Sequence, residues 1–431
     1  MLALSVIGVL LCVVFIIFFC YKGYSPCIVA PIGALIMAIF SGITLGDFMA
    51  NYAETYANMA RGVFFTYLIS MVFAQVLQET GAAYSIAYWL ADHIGPKFAC
   101  TVVMLACGIL TAGGMNCSAY FIVYPIGLVL CSKAGYSNRA VAAAAMAAPW
   151  SWGIISPLMP SVHNTIAINF LGTNPQAGLI PGLAGGIFLL LADIVYLEWQ
   201  TRYYTKKGFA FNAHDMIPQE KEGYRESLPP VWRAILPLVI VLVCYNGFNL
   251  NINYSISIGA IAAMLLEARK LGKGAVKVME RGALAALVPV GCLCAVAGIG
   301  GIITVTPFFA KVLELLQSST LHPYLLALVS CQILGFSLGS ASSTISTSLT
   351  TLTPIYEGYV ARGFSLGSLH RLTVFGSTGL SALPSSGGVA GTLAVFKTSY
   401  KESYWPVCVI CCILPIIAGF CIVLPLSIFG L

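Results

Sequence analysis

The run Gly108-Ile-Leu-Thr-Ala-Gly-Gly-Met-Asn-Cys-Ser118 lies in the middle of an apolar stretch over 97–134. It interrupts that stretch with a polar, glycine-bearing tip, Gly113 to Ser118. Each arm beside the tip has about 16 residues, roughly 24 Å of helix at 1.5 Å per residue, which is short of the ~30 Å hydrocarbon core of a bilayer. Two such arms that enter a membrane without crossing it make a re-entrant hairpin. The pattern occurs twice, because 322–358 again places apolar arms around a polar tip, Ser337 to Ser346. Behind each hairpin an apolar segment is broken by prolines and hydroxyl residues. These are 138–172, broken at Ser156-Pro-Leu-Met-Pro-Ser161, and 366–395, broken at Leu383-Pro-Ser-Ser-Gly-Gly388.

Working outward, the rest of the chain also pairs. Arg61-Gly62 matches Arg281-Gly282, Pro125-Ile126 matches Pro354-Ile355, and Leu158-Met-Pro-Ser161 matches Ala382-Leu-Pro-Ser385, in the same order and offset by 220 to 229 residues. A fixed offset repeated along the chain indicates duplication. The halves are 1–199 and 231–431, joined by a polar linker over 200–230. Each half opens with full spans (2–20, 24–42 and 62–78; 231–249, 253–268 and 282–300). A short amphipathic stretch at the membrane interface follows, Ala82 to Ile94 and Ile302 to Leu316, with Glu79 placed to cap the first. Hairpin, broken segment and a last span (177–198 and 405–429) complete each half. The expected fold is all-α and polytopic, with ten transmembrane helices, two re-entrant hairpins and two broken helices. The scaffold is expected over 1–78, 177–198, 231–300 and 405–431, and a moving transport domain over 97–172 and 322–395.

Composition agrees. Of 431 residues, 59% are apolar or aromatic and 8% are charged, against about 25% charged in an average soluble domain. Mean hydropathy is +0.91. A soluble enzyme is excluded, since so few charges cannot cover that much apolar surface, and disorder is excluded with it. The apolar runs are continuous rather than alternating, which disfavours a β-barrel. The net charge of +6 reads as basic loops, not as a nucleic-acid surface. The 15 cysteines fall mostly in apolar runs without acidic or histidine partners, so no metal site and no cofactor are expected. Leu2 to Cys20 lacks a basic stretch before it and reads as a retained span rather than a cleaved leader.

Five spans per half is an odd number, so the second half is inverted relative to the first. With both termini outside and the linker cytoplasmic, four of the 21 basic residues fall outside (Arg61, Lys311, Arg362 and Arg371) and 17 fall inside. That is the asymmetry expected of a plasma-membrane protein.

Inverted repeats with broken helices near the midplane are the pattern of secondary transporters. Irregular backbone at that depth must line a cavity or be buried in protein. The polar residues cluster at the four irregularities: Gly114, Asn116 and Ser118 at the first tip; Ser161, His163, Asn164 and Thr165 at the first break; Ser340, Ser342, Ser343 and Thr344 at the second tip; Thr378, Ser385, Ser386, Gly387 and Gly388 at the second break. Neutral donors, close backbone and half-helix ends suit a small anion, and freed carbonyls suit a cation such as Na⁺. On this reading no Lys or Arg lies deep in the membrane, Asp193 and Glu198 lie near the inner end of the fifth span as interfacial or structural groups, and His163 is the one candidate proton carrier near the core, equally suited to a hydrogen-bonded structural role. Gly298-Ile-Gly300-Gly301 has no strand before it and is not a nucleotide loop.

These stretches resemble the gluconate permease family, proton-linked organic-acid symporters of a wider ion-transporter superfamily. Gly108-Ile-Leu-Thr-Ala-Gly-Gly114 running into Tyr124-Pro-Ile126 is similar to that family's first hairpin. Leu369-His-Arg371, Leu383-Pro-Ser-Ser-Gly-Gly-Val389 and Tyr400-Lys-Glu-Ser-Tyr404 are similar to its C-terminal signature. The resemblance implies uptake of a small carboxylate, an elevator mechanism and a homodimer. Two positions depart from the family: its acidic residue at the first tip is replaced within Met115-Asn-Cys-Ser118, and its His-Asn after the second-break proline by Ser385-Ser386. The expected function is cation-coupled symport of a small organic anion, by H⁺ or Na⁺, without enzymatic chemistry. A cation/proton antiporter of the same architecture is the first rival and should show a deep carboxylate. A membrane-embedded enzyme is the second, but the serines recur with no repeated base.

Overall fold

A computed structural model describes the chain except residues 23, 114–117, 210, 212–224, 319, 320, 385, 387, 388, 390, 391, 394, 395, 397 and 431. The described residues are helical, with no strand among them. The first half runs α1 (Leu2–Tyr21), α2 (Pro26–Phe40), α3 (Leu45–Glu79), α4 (Ala82–Ile94), α5 (Ala99–Ala112), α6 (Ser118–Ala134), α7 (Val141–Trp150), α8 (Trp152–Ile155), α9 (Val162–Leu171) and α10 (Leu179–Lys206). The second runs α11 (Val231–Leu242), α12 (Ile252–Leu266), α13 (Ala268–Leu271), α14 (Ala275–Ile303), α15 (Pro307–Gln317), α16 (Pro323–Leu338), α17 (Ala341–Val360) and α18 (Leu366–Ser377). It closes with α19 (Tyr400–Ile428), a long helix carrying π-type turns at Val409–Ile413 and Gly419–Val423. Five helices are long and apolar enough to cross a bilayer alone: those beginning at Leu2, Leu45, Leu179, Ala268 and Tyr400. Five shorter apolar helices accompany them, and α4 meets α5 at a bend of 111°.

The order of elements is the same in both halves, and the packing is reciprocal. Helix α3 lies along its counterpart α14, α14 packs on α2, and α3 packs on α12, the counterpart of α2. Hairpin arm α5 packs on α7 just as arm α16 packs on α18. Contacts that swap between the halves in this way follow from a two-fold relation between them.

One expectation is corrected. Glu79 does not cap α4: it is the last residue of α3 and pairs with Arg281 at 2.9 Å, while α4 begins at Gly81 without a side-chain cap. The expected span 62–78 lies within the longer helix α3, which Thr44 caps at Asp47 and which packs on α14. Helices α10 and α19 pack on each other, on the hairpin arms α5 and α16, on α7 and α8, and on α18.

Candidate functional site

Proline builds the first break. Pro149 ends α7, and Ser151 leaves the helical region before α8. Pro157 and Pro160 then hold the residues before them extended, so the chain cannot re-enter a helix until Ser161 caps α9. Between the prolines Leu158 sits at φ +66°, a conformation costing a non-glycine residue about 1–3 kcal/mol. Two contacts from outside the break fix it: the Leu158 amide donates to the Pro175 carbonyl at 3.1 Å, and its carbonyl accepts from Asn246 at 2.8 Å.

The hydroxyl and amide groups of this break serve the break itself. Ser161 Oγ donates to the Ile154 carbonyl at 2.7 Å and accepts from the Asn164 amide at 3.2 Å. The Asn164 side chain donates to the carbonyls of Ser156 and Met159. Thr165 Oγ1 donates to the Ser161 carbonyl at 2.9 Å. His163 is buried, and its Nδ1 has no partner among the described residues.

The carbonyls left over are taken by a residue from the other half. Arg371, 0% exposed in α18, donates Nη1 to the Ile155 carbonyl at 2.7 Å and to Asn164 Oδ1 at 2.9 Å. Its Nε and Nη2 donate to the Ala177 carbonyl at 3.1 and 2.7 Å. No carboxylate faces it among the described residues, so the charge is met by carbonyl dipoles alone. Gly182 of α10 permits this, because a Cβ there would stand 2.8 Å from Arg371 Cδ and Nε. Arg371, expected in an outer loop, is thus enclosed in protein. Arg371 lies six residues beyond Ser365, the cap of α18, about one and a half turns inside the helix at 3.6 residues per turn. Charge counting had assigned it to an outer loop.

At the second tip Ser340 caps α17, with the Ser343 amide 3.4 Å from its Oγ, and Thr344 Oγ1 donates to the Ser340 carbonyl. Ser342 and Ser343 are buried, and Ser343 Oγ has no partner among the described residues. This tip meets the second break. Gln332 of α16 accepts from the Leu380 amide at 3.1 Å, and Gly335 approaches Ser381. Gly379 opens the break at φ +85°, where a Cβ would stand 2.7 Å from Ile416 and 2.9 Å from Gln332 Oε1. Thr378 donates to the Phe375 carbonyl, and Ser386 is buried.

Across the halves, α17 packs on α9, and the Tyr124 ring stacks on Phe396 with centroids 4.0 Å apart. The structure therefore joins the second hairpin to the first break and the first hairpin to the segment behind the second break. Gly114, Asn116, Ser385, Gly387 and Gly388 lie outside the described residues, and Ser118 is placed only as the start of α6.

Two carboxylates were expected to be interfacial or structural. Glu198 is buried and structural, accepting from the Thr101 amide and hydroxyl at 3.1 and 2.8 Å. Asp193 is 0% exposed at the middle of α10. Sequence reasoning missed Arg371, Gln332 and Asp193. The available signal for Arg371 was the glycine series 178, 182, 185 and 186 on α10, which leaves room for a large side chain.

Comparison with known proteins supports the architecture. The chain is 24% identical, over 93% of its length and 94% of theirs, to an uncharacterized transporter of Bacillus subtilis (strain 168), YxjC. It is 26% identical, over 81% of each chain, to an uncharacterized transporter of Haemophilus influenzae. The crystal structure of the YdaH transporter of Alcanivorax borkumensis, described as having an unusual topology, matches with a TM-score of 0.55 at 15% identity over 89% of this chain and 88% of that one. No family model matches the chain. The two relatives match over most of the chain and support a membrane transporter or permease, and the solved structure matches its all-α fold.

Proposed function

We propose that this chain is a secondary active transporter that takes up a small organic acid anion, a sugar acid or short hydroxy acid, by cation-coupled symport. The reading extends the resemblance to the gluconate permease family. One observation carries it: Arg371 sets a full positive charge, with no carboxylate against it among the described residues, on the carbonyls of the first break. A buried charge without a counter-ion favours a ligand of opposite sign. Its N–H groups are largely occupied by carbonyls, so it acts on the ligand through its field. Among the described residues, Ser343 Oγ, His163 Nδ1 and Gln332 Nε2 have no hydrogen-bond partner and are donors suited to direct contact.

One buried positive charge matches one carboxylate. A monocarboxylate is therefore the preferred substrate, since each further charge of a tricarboxylate has to be desolvated without compensation. In the elevator reading the hairpins, the broken helices and also α10 and α19 move as one body against the α3–α14 pair, because that is how they pack. A homodimer completes the proposal.

The antiporter reading now has an observation in its favour, since Asp193 supplies the deep carboxylate that the sequence reading did not find. Uptake into proteoliposomes from a panel of labelled carboxylates separates the two. Symport predicts saturable uptake of a monocarboxylate, driven by an imposed cation gradient. Cation exchange with no uptake of any carboxylate establishes the antiporter. A tricarboxylate that outcompetes every monocarboxylate removes the charge-matching argument.

A further inference from the structure

We propose that Asp193 is the proton-carrying residue of the coupled step; this rests on the transport reading above and names the coupling site within it. Asp193 stands at the centre of α10, fully buried, and neither carboxylate oxygen has a hydrogen-bond partner among the described residues. The Ser151 hydroxyl faces it from the discontinuity between α7 and α8, is itself fully buried, and likewise has no well-formed bond. From α19 the Cys411 thiol is close enough to interact electrostatically with it, and the Cys411 carbonyl accepts from the Gly379 amide of the second break at 3.3 Å. The helix that carries Asp193 packs on α7 and α8 of the first broken segment and on α18 of the second, the elements that must rearrange for access to alternate.

Among the described residues, no charged group pairs with Asp193. Arg371 of α18 is bound at the far end of α10 through Ala177. Glu198 is tied to Thr101, Tyr196 lies one turn along α10 with its own hydroxyl unpartnered, and Cys100 of α5 pairs with Thr201. An ionised carboxylate in such a place carries a large desolvation cost. A Na⁺ ion would relieve it only with several oxygen ligands, and here one hydroxyl and one thiol are at hand. A proton relieves it with one bond. In this packed state the group is a neutral carboxylic acid whose O–H can reach Ser151. When the broken helices part and water enters, the O–H bond breaks, the proton leaves to solvent and the carboxylate remains, to be reprotonated from the other side. One proton is carried per cycle, with no other reactant.

The test compares Asp193→Asn, which imitates the protonated form, with the parent in proteoliposomes, using the monocarboxylate found by the panel above. Gradient-driven accumulation should be lost while substrate exchange across the membrane persists. Infrared difference spectra across a pH series should show a carboxylic-acid C=O band in the parent that is absent from the variant. An Asn variant that accumulates substrate with the parent's pH dependence overturns the proposal, and so does a parent without such a band. If the Asn variant does not fold, Asp193→Glu takes its place and must keep coupling while shifting the band. A parent that neither takes up nor exchanges any carboxylate refutes the transport reading instead, and the infrared comparison still decides the fate of Asp193.

Discussion

Arg371 shows what one side chain can do for a break it does not belong to. It reaches from the second half to bind the carbonyls of Ile155 and Ala177 and the amide oxygen of Asn164 in the first. A planar fork of donors is suited to several acceptors at once, and an ammonium is a point charge on a flexible stem. Arg371→Lys keeps the charge but has no planar fork to serve all three, leaving at least one buried acceptor bare at roughly 1–3 kcal/mol. The expected outcome is a loss of at least about 1 kcal/mol in the thermal or denaturant stability of the purified protein. Arg362→Lys is the control, since Arg362 is exposed and reaches a single carbonyl, that of Gly358. Equal behaviour of the two variants would show that the network contributes nothing. The sequence did not disclose this role because hydropathy and charge counting treat a basic residue near a helix end as solvated. Nothing in the neighbouring Ser368-Leu-His370 marks the helix as enclosed by α10.

At the scale of the element, the hairpins and breaks were legible because their signals are local. Arm length against bilayer thickness and the prolines at 157, 160 and 384 each act within a few residues. What could not be read was which hydroxyls are spent on backbone and which remain available, since that depends on neighbours far away in the chain. The second tip separates the two roles within four residues. Ser340 caps α17, whereas Ser343 Oγ has no partner among the described residues. Ser340→Ala should thus lower stability by about 0.5–1 kcal/mol, the low end for a cap, in keeping with its 3.4 Å contact. Ser343→Ala should leave stability nearly unchanged. If Ser343 donates to a carboxylate, its loss costs about 1.5–3 kcal/mol of binding, roughly 10- to 150-fold in affinity. Substrate binding and thermal unfolding measured on both variants decide the matter. Wild-type affinity in Ser343→Ala would assign that serine to packing.

For the whole molecule, the duplication seen as paired motifs reappears as reciprocal packing, α14 on α2 and α3 on α12. The packing partners of α10 and α19 were not visible, because an apolar span carries no label for the partner it packs on. Orientation is the property that packing leaves open and charge addresses. With Arg371 enclosed in protein, only Arg61, Lys311 and Arg362 remain in the expected outer loops, against 17 basic residues inside. Enclosing Arg371 thus strengthens the asymmetry that the positive-inside rule requires. The expected inverted topology puts two loops on opposite faces: 247–253, between α11 and α12, outside, and 205–225, after α10, inside. Single cysteines introduced in each loop, on a background whose exposed Cys27 and Cys421 are replaced by serine, should separate cleanly. A membrane-impermeant maleimide applied to intact cells should label the first loop, and the second only after the membrane is opened. Labelling of both loops from the same face would mean an even number of crossings between them, and with it the inverted relation between the halves would fall.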